Sequence, residues 1–140
     1  MKRHIPFHKY HGLGNDFIII DGISSRIDPL DLVSKVSMLC SRRFGVGADG
    51  ILLALESNDA DIQLRIFNAD GSEPENCGNG LRCFAHFVYD QNLVHKEIFS
   101  VETKAGIIIP ALSIEDGQVQ AVEVDMGEPI LEPAQIPIKG

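Results

Sequence analysis

The chain has 140 residues, 44% of them hydrophobic and 23% charged, which is typical of one globular domain and excludes a disordered or fibrous protein. Twelve basic and twenty acidic residues give a net charge of −8, and this disfavours nucleic acid and anionic membranes, which both bind clustered Lys and Arg. The apolar segment Ala105–Ile114 is interrupted by Pro110 and is shorter than the roughly twenty residues of a membrane-spanning helix. No signal-peptide pattern follows the N-terminal basic residues, and the three cysteines are an odd number, so we expect a cytoplasmic protein with reduced thiols.

The first half of the sequence predicts strands that flank one helix. Strands are predicted at Ile5–His11, Phe17–Asp21, Ile51–Leu55 and Ile62–Phe67. The helix is expected to begin at Asp28, an N-cap residue followed by Pro29 at the first helical position, and to end at Gly45. Its apolar face is formed by Leu32, Val33, Val36, Leu39 and Cys40.

The second half begins with a turn-rich segment, Asn68–Gly80, which leads into a second amphipathic helix. One face of this helix carries Leu81, Phe84, Ala85 and Val88. Strands are then predicted at Ile98–Thr103, Ile107–Ile114 and Val119–Met126, with a hairpin turn at Glu115–Gly117.

Two glycine-rich loops share the pattern G-x-G-x-D, namely GLGND at 12–16 and GVGAD at 45–49. With Gly50, the second loop also matches the G-x-G-x-x-G fingerprint of dinucleotide-binding folds, which lies between a strand and a following helix. Here the predicted helix comes first and the strand second, and Asp49 would repel a phosphate. No dinucleotide cofactor is therefore expected.

A zinc site is also disfavoured by the spacing of the candidate ligands. Cys77, Cys83 and His86 supply three of the four ligands that a structural zinc ion needs, and five residues separate the two cysteines. We expect no metal.

The segment Asn76–Gly80 is the strongest functional signal because it lies where a loop becomes a helix. The backbone N–H groups of Gly78, Asn79 and Gly80 can bind a carboxylate at such a helix end, which also stabilises a thiolate. Cys77 could then remove a proton α to a carboxylate, which favours chemistry on an amino acid. Alternatively, it could act as a nucleophile beside one of the histidines, as in a cysteine hydrolase.

Four segments resemble the diaminopimelate epimerase family: HGLGNDF at 11–17, GVGADG at 45–50, FNADGSEPENCGNGLRC at 67–83 and VDMGEP at 124–129. The resemblance covers essentially the whole chain and implies cofactor-independent inversion of one α-carbon, interconverting LL- and meso-diaminopimelate. It implies that Cys77 is one of two catalytic cysteines and that Gly78 and Asn79 bind a substrate carboxylate. Asn15 and Asn68 match side chains that hold the substrate. Some members carry a substrate-binding glutamine where this chain has Gly50.

The resemblance also implies an α+β fold, namely one lobe of a two-lobed protein, in which a mixed or antiparallel sheet is wrapped around a central helix. Residues 1–118 are expected to form the N-terminal lobe and residues 119–140 to begin the second lobe, where the family places its second cysteine.

Cys83 lies on the same helix as the Cys77 segment and Cys40 lies in an apolar stripe, so neither is expected to act as the opposing thiol. The chain alone is therefore expected to be an inactive half, and association into a homodimer is a further expectation. The alternatives are a related proline racemase or phenazine-type isomerase, a cysteine hydrolase and an inactive binding lobe.

Overall fold

The computed structural model describes residues 6–12, 14–74, 78–94 and 96–124, and its main element is a six-stranded mixed sheet. The strands lie side by side in chain order: β1 (His8–Gly12), β2 (Asn15–Asp21), β3 (Gly50–Leu55), β4 (Ile62–Asn68), β5 (Val101–Thr103) and β6 (Gly106–Ile108). Neighbouring pairs alternate between antiparallel and parallel, with β2–β3 and β4–β5 the parallel pairs. The four strands predicted in the first half are present with small shifts at their ends, and Ile5, the first residue of the first predicted strand, lies outside the described residues.

Alternate residues of β2 and β3 point to opposite faces of the sheet, and helices cover both faces. On one face, Phe17 and Ile19 pack in a core with α4 (Gly78–Asp90). On the other face, Ile18 and Ile20 pack against α2 (Pro29–Val33) and α3 (Val36–Cys40). A strand with both faces covered is apolar throughout, which explains the uninterrupted run Phe17–Ile20.

A two-stranded hairpin also packs against α4. It consists of β7 (Ala111–Glu115) and β8 (Gln118–Glu123), and its turn residues Asp116 and Gly117 have φ values of 55° and 76°. Two left-handed residues in succession match the twist of the flanking strands, which explains the Asp-Gly sequence at the predicted turn. Val119 and Val122 pack against the α4 core.

Helix α4 therefore packs against both the sheet and the hairpin, in agreement with the prediction of a sheet wrapped around a central helix. The predicted lobe boundary at residues 118 and 119 falls at the first residues of β8 and stays a prediction. None of the helices in the described ranges is long and apolar enough to cross a membrane.

The prediction of one continuous helix after Asp28 is wrong, because the segment forms two short helices. Lys35, between α2 and α3, has φ −115° and ψ 0°, outside helical geometry. Leu32, Val36 and Cys40 are nevertheless all buried, so the apolar face continues across the break.

A further short helix, α1 (Gly22–Ser25), was not predicted. The Asp21 side chain caps it by accepting hydrogen bonds from the backbone N–H groups of Ile23 and Ser24. Four residues are too few to show helical periodicity in a sequence.

The predicted strand Ile107–Ile114 is also wrong, because Pro110 separates it into β6 and β7, which belong to different sheets. Proline has no N–H for a strand ladder, so the chain leaves one sheet there and enters the other. The predicted strand Ile98–Thr103 is shortened to β5, and Ile98 forms an isolated bridge with Ala111.

Candidate functional site

The predicted site residues Asn15 and Asn68 lie at one end of the sheet, which we call the site end. Strands β1 and β4 end there and β2 and β3 begin there, as the partners Gly12–Asn15 and Gly50–Asn68 show. Asn15 is the first residue of β2 and Asn68 is the last residue of β4.

Helix α4 begins at the same end, because a hydrogen bond joins its second residue to β2. The Asn79 Nδ2 group donates to Asn15 Oδ1 over 2.8 Å, which links residues 64 positions apart in the sequence. Gly78 is the first residue of α4. Cys77 directly precedes it and lies outside the described residues, so its proposed role rests on the sequence.

The close approach of α4 to β1 depends on Gly12. A Cβ atom at this position would lie 3.0 Å from Cys83 Sγ and 3.6 Å from the Asn79 carbonyl oxygen. The glycine of the first G-x-G-x-D loop therefore lets the start of α4 pack directly on the end of β1.

Asp16 and Asp49, the aspartates of the two G-x-G-x-D loops, tie the first residues of β2 to those of β3. The Asp49 N–H donates to the Asp16 carbonyl oxygen over 2.9 Å, and the Asp16 N–H donates to Asp49 Oδ2 over 3.0 Å. The same Asp49 oxygen accepts from Asn15 Nδ2 over 3.1 Å. Sequence reasoning did not assign either aspartate to the site, although the repeated pattern is the signal that marks both.

Two cations neutralise these aspartates. Arg42 donates to both Asp16 carboxylate oxygens over 3.0 and 2.7 Å and to Asp49 Oδ1 over 3.1 Å. Lys9 Nζ lies 3.0 Å from Asp16 Oδ2 and donates to the Gly47 carbonyl oxygen over 2.7 Å. The hydrogen bonds from Arg42, followed by those from Lys9, hold the pKa of Asp16 well below its usual range against the opposing effect of burial.

Replacing Asp16 with asparagine is expected to lower the free energy of unfolding by about 1 kcal/mol near neutral pH, a small value because the Arg42 side chain is 58% exposed. Because folding lowers the pKa of Asp16, the ionised carboxylate stabilises the fold fully above the unfolded-state pKa of about 3.9. The stabilisation is lost as the pH falls from there toward the folded-state value.

Urea unfolding of both proteins between about pH 7 and pH 3 measures this difference, which should be constant at the upper end and shrink below about pH 4. Asp59→Asn, at an exposed position, is the control and should change stability by less than about 0.5 kcal/mol. A difference for Asp16→Asn that grows on acidification would contradict the assignment.

Asn68 lies at the site end but its side chain is engaged locally. Its Nδ2 group donates to Ser72 Oγ over 3.0 Å, and its backbone N–H donates to the Ser72 carbonyl oxygen over 2.7 Å. Arg65 then holds the loop through two hydrogen bonds to the Glu73 carboxylate of 3.0 and 2.9 Å, which lower the pKa of Glu73. These two hydrogen bonds hold the loop after β4, which leads towards Cys77, against the strand.

The two described cysteines lie on opposite faces of the sheet, and neither forms a disulfide. Cys83 is buried on α4 beside Gly12. Cys40 is buried in the core under α3, as its place in the apolar stripe predicts, and burial raises the pKa of its thiol. A buried thiol with a raised pKa stays protonated at neutral pH, so Cys40 is suited to packing and not to proton transfer.

His86 is paired with an acidic neighbour on its own helix. Its Nε2 atom lies 3.3 Å from Asp90 Oδ2, and the Tyr10 hydroxyl donates to the same oxygen over 2.6 Å. Burial, followed by this hydrogen bond, raises the pKa of Tyr10. Among the described residues, no three His, Cys, Asp or Glu side chains form a group that could hold a metal ion.

One cavity lies away from the site end. It has a volume of about 440 Å³ and is formed on the α2–α3 face, where Ile18, Ile20, Leu32 and Lys35 line it. A smaller groove of about 170 Å³ runs beside the site end between β1, α4 and β8, with His11, Gly12 and Arg82 in its lining. We place the candidate site by its polar residues and not by cavity size.

A comparison with protein families decides what these residues belong to: the family model described as diaminopimelate epimerase matches residues 7–132. The chain belongs to the diaminopimelate epimerase family. A diaminopimelate epimerase of Desulforapulum autotrophicum is 54% identical over 139 residues, covering 96% of this chain and 48% of the relative. One from Pelotomaculum thermopropionicum is 50% identical over 134 residues with the same coverage. The chain thus spans about half the length of the curated relatives it matches.

Solved structures show the same fold at low sequence identity. A probable proline racemase from Agrobacterium radiobacter superposes with a TM-score of 0.68 at 18% identity, over 86% of this chain and 41% of that one. The match confirms the expected fold.

Gly50, where the resemblance places a glutamine in some members of the diaminopimelate epimerase family, is the first residue of β3. A Cβ atom on Gly50 would lie 2.6 Å from the Phe67 carbonyl oxygen, because β3 and β4 are paired closely at this point. A larger residue would require the backbone to shift, so the close pairing of β3 and β4 favours glycine at this position.

Proposed function

We propose that the protein acts in the cofactor-independent interconversion of LL- and meso-diaminopimelate, with this chain supplying one side of the active site. The observation that carries the proposal is the hydrogen bond between Asn15 and Asn79 at the start of α4. It brings together two residues that the family resemblance assigns to substrate binding, Asn15 through its side chain and Asn79 through the helix end, beside the predicted position of Cys77. Membership of the diaminopimelate epimerase family supports the same function.

The start of α4 is suited to a carboxylate. The helix has 13 residues, and the first N–H groups of such a helix lack partners within it and carry partial positive charge. Gly78 has no side chain to obstruct an approach to this backbone. We therefore assign Gly78 and Asn79 to the α-carboxylate of the substrate and Asn15 and Asn68 to its other polar groups.

The proposed reaction moves one proton off the α-carbon and another onto its opposite face. The Cys77 thiolate takes the α-proton, the electron pair stays on the carbon beside the carboxylate, and a second thiol delivers its own proton from the other side. A single base that returned its proton would restore the starting configuration. Cys83 and Cys40 are both buried in the cores, so neither can be that second thiol. The second thiol must therefore come from outside the described residues.

The test uses a chimera, in which this chain is joined to the part of the Desulforapulum autotrophicum relative that it does not match. LL-diaminopimelate in deuterated water should yield the meso isomer with deuterium at one α-carbon. This chain alone, as the matched control, should give neither product nor deuterium exchange. A folded chimera that forms no meso isomer would refute the proposed function.

We also propose a cytoplasmic location and a homodimer. The odd number of cysteines, three in the chain, supports a reducing compartment. Light scattering on the chimera tests the assembly, with twice the chain mass expected and the monomer mass contradicting it.

A further inference from the structure

Four side chains form one directed line of hydrogen bonds across the site end. Asn15 Nδ2 donates to the Asp49 carboxylate over 3.1 Å, and Asn79 Nδ2 donates to Asn15 Oδ1 over 2.8 Å. Arg82 Nη1 then approaches Asn79 Oδ1 over a long contact of 3.5 Å. The line connects the residue before β3, the first residue of β2 and the first two turns of α4, and each end is a charged side chain.

The two charged ends fix the orientation of both amides. An ionised carboxylate only accepts hydrogen bonds and a guanidinium only donates them. A side-chain amide does both, and a flip exchanges the positions of its oxygen and nitrogen. The nitrogen of Asn15 must therefore face Asp49, so its oxygen faces Asn79. The nitrogen of Asn79 then faces Asn15 and its oxygen faces Arg82.

Asp49 is itself held in place from three directions. Its Oδ1 atom accepts from Arg42 over 3.1 Å, its Oδ2 atom accepts from the Asp16 N–H over 3.0 Å, and its own N–H donates to the Asp16 carbonyl oxygen. The carboxylate is 40% exposed, so these contacts, and not burial, determine its position. Arg42 also compensates the negative charge of Asp49, which would otherwise repel an anionic ligand.

We propose that Asp49, with Arg82 at the other end, is a positioning residue that turns both amides, so that Asn79 offers an N–H donor to the α-carboxylate of the substrate and Asn15 offers one to its other carboxylate. Each Nδ2 group uses one of its two hydrogens within the described residues, which leaves the second to donate to a ligand oxygen. A carboxylate accepts such donors and an ammonium group does not. This inference rests on the proposed function for the identity of the ligand, but the amide orientation does not depend on it.

The orientation is tested on the ¹⁵N-labelled chain by NMR of the side-chain amides, without substrate. Asp49→Asn should shift the cross-peaks of Asn15 and Asn79, because the new amide no longer forces one orientation on Asn15. Asn68, whose amide donates to Ser72, is the internal reference and should not move. Unchanged Asn15 and Asn79 cross-peaks in a folded variant would overturn the proposal. If Asp49→Asn does not fold, Arg82→Met decides: a shift of Asn79 alone supports the proposal and no shift overturns it.

The effect on the ligand is tested in the chimera. Asp49→Asn should raise KM for LL-diaminopimelate roughly tenfold or more, with a smaller change in kcat, because an oriented donor to a charged group is lost. Asp61→Asn is the matched control, since Asp61, like Asp49, accepts from a backbone N–H and from a cation, here Lys96, but at the far end of β4. An unchanged KM for Asp49→Asn, or an equal rise for Asp61→Asn, would overturn the carboxylate role. An inactive chimera would refute the proposed function and leave the NMR result to decide the orientation.

Discussion

Replacing Cys77 with serine in the chimera is expected to lower kcat for epimerisation by roughly 10²–10⁴-fold, the usual contribution of a general acid or base. A serine hydroxyl stays protonated at neutral pH and cannot take the α-proton as a thiolate does. Initial rates of meso-diaminopimelate formation from the LL isomer measure the loss. Substrate binding should change far less than the rate.

Cys40→Ala is the matched control for this prediction. Cys40 is buried on the opposite face of the sheet, so its removal should affect stability and leave the epimerisation rate within about twofold. A Cys77→Ser chimera with the full rate would contradict the assignment of Cys77 as an acid–base residue.

Truncating Phe84 to alanine is expected to lower the free energy of unfolding by about 3–5 kcal/mol, the range for a fully buried phenylalanine. The Phe84 side chain is completely buried on α4, where the core between the sheet and the hairpin is formed. Because this loss is a large fraction of a small domain's stability, the variant should unfold at a much lower urea concentration.

Phe44 provides the same substitution at an exposed position. Its side chain is 80% exposed and contacts only the Arg43 guanidinium among the described ring and cation contacts. Phe44→Ala should cost less than about 1 kcal/mol. Equal losses for the two variants would contradict the placement of the core around α4.

The sequence predicts those parts of the fold that depend on local patterns. Alternation along Ile62–Phe67 and the Asp-Gly turn at 116–117 each specify an element without reference to the rest of the chain. The break at Lys35 was not predictable, because the apolar spacing of Leu32, Val36 and Cys40 is the same in one helix or two. The face that each strand covers likewise depends on tertiary contacts.

The same distinction holds at the candidate site. Asn15 and Asn79 were identified by resemblance, but their hydrogen bond depends on how closely α4 approaches β1 across Gly12. Asp49 reaches Asn15 only because β2 and β3 are parallel, with Phe17 opposite Gly50. The repeated G-x-G-x-D pattern marked Asp49 without indicating its partner, since pairing between distant strands leaves no local signal.

We propose that the site end, and not the cavity on the α2–α3 face, binds the substrate. Titrating LL-diaminopimelate into the ¹⁵N-labelled chimera and following both amide regions by NMR tests it most directly. We predict that the side-chain cross-peaks of Asn15, Asn68 and Asn79 shift together with the backbone N–H groups of Gly78 and Asn79. Shifts confined to residues that line the α2–α3 cavity, such as Ile20 and Lys35, would contradict the claim.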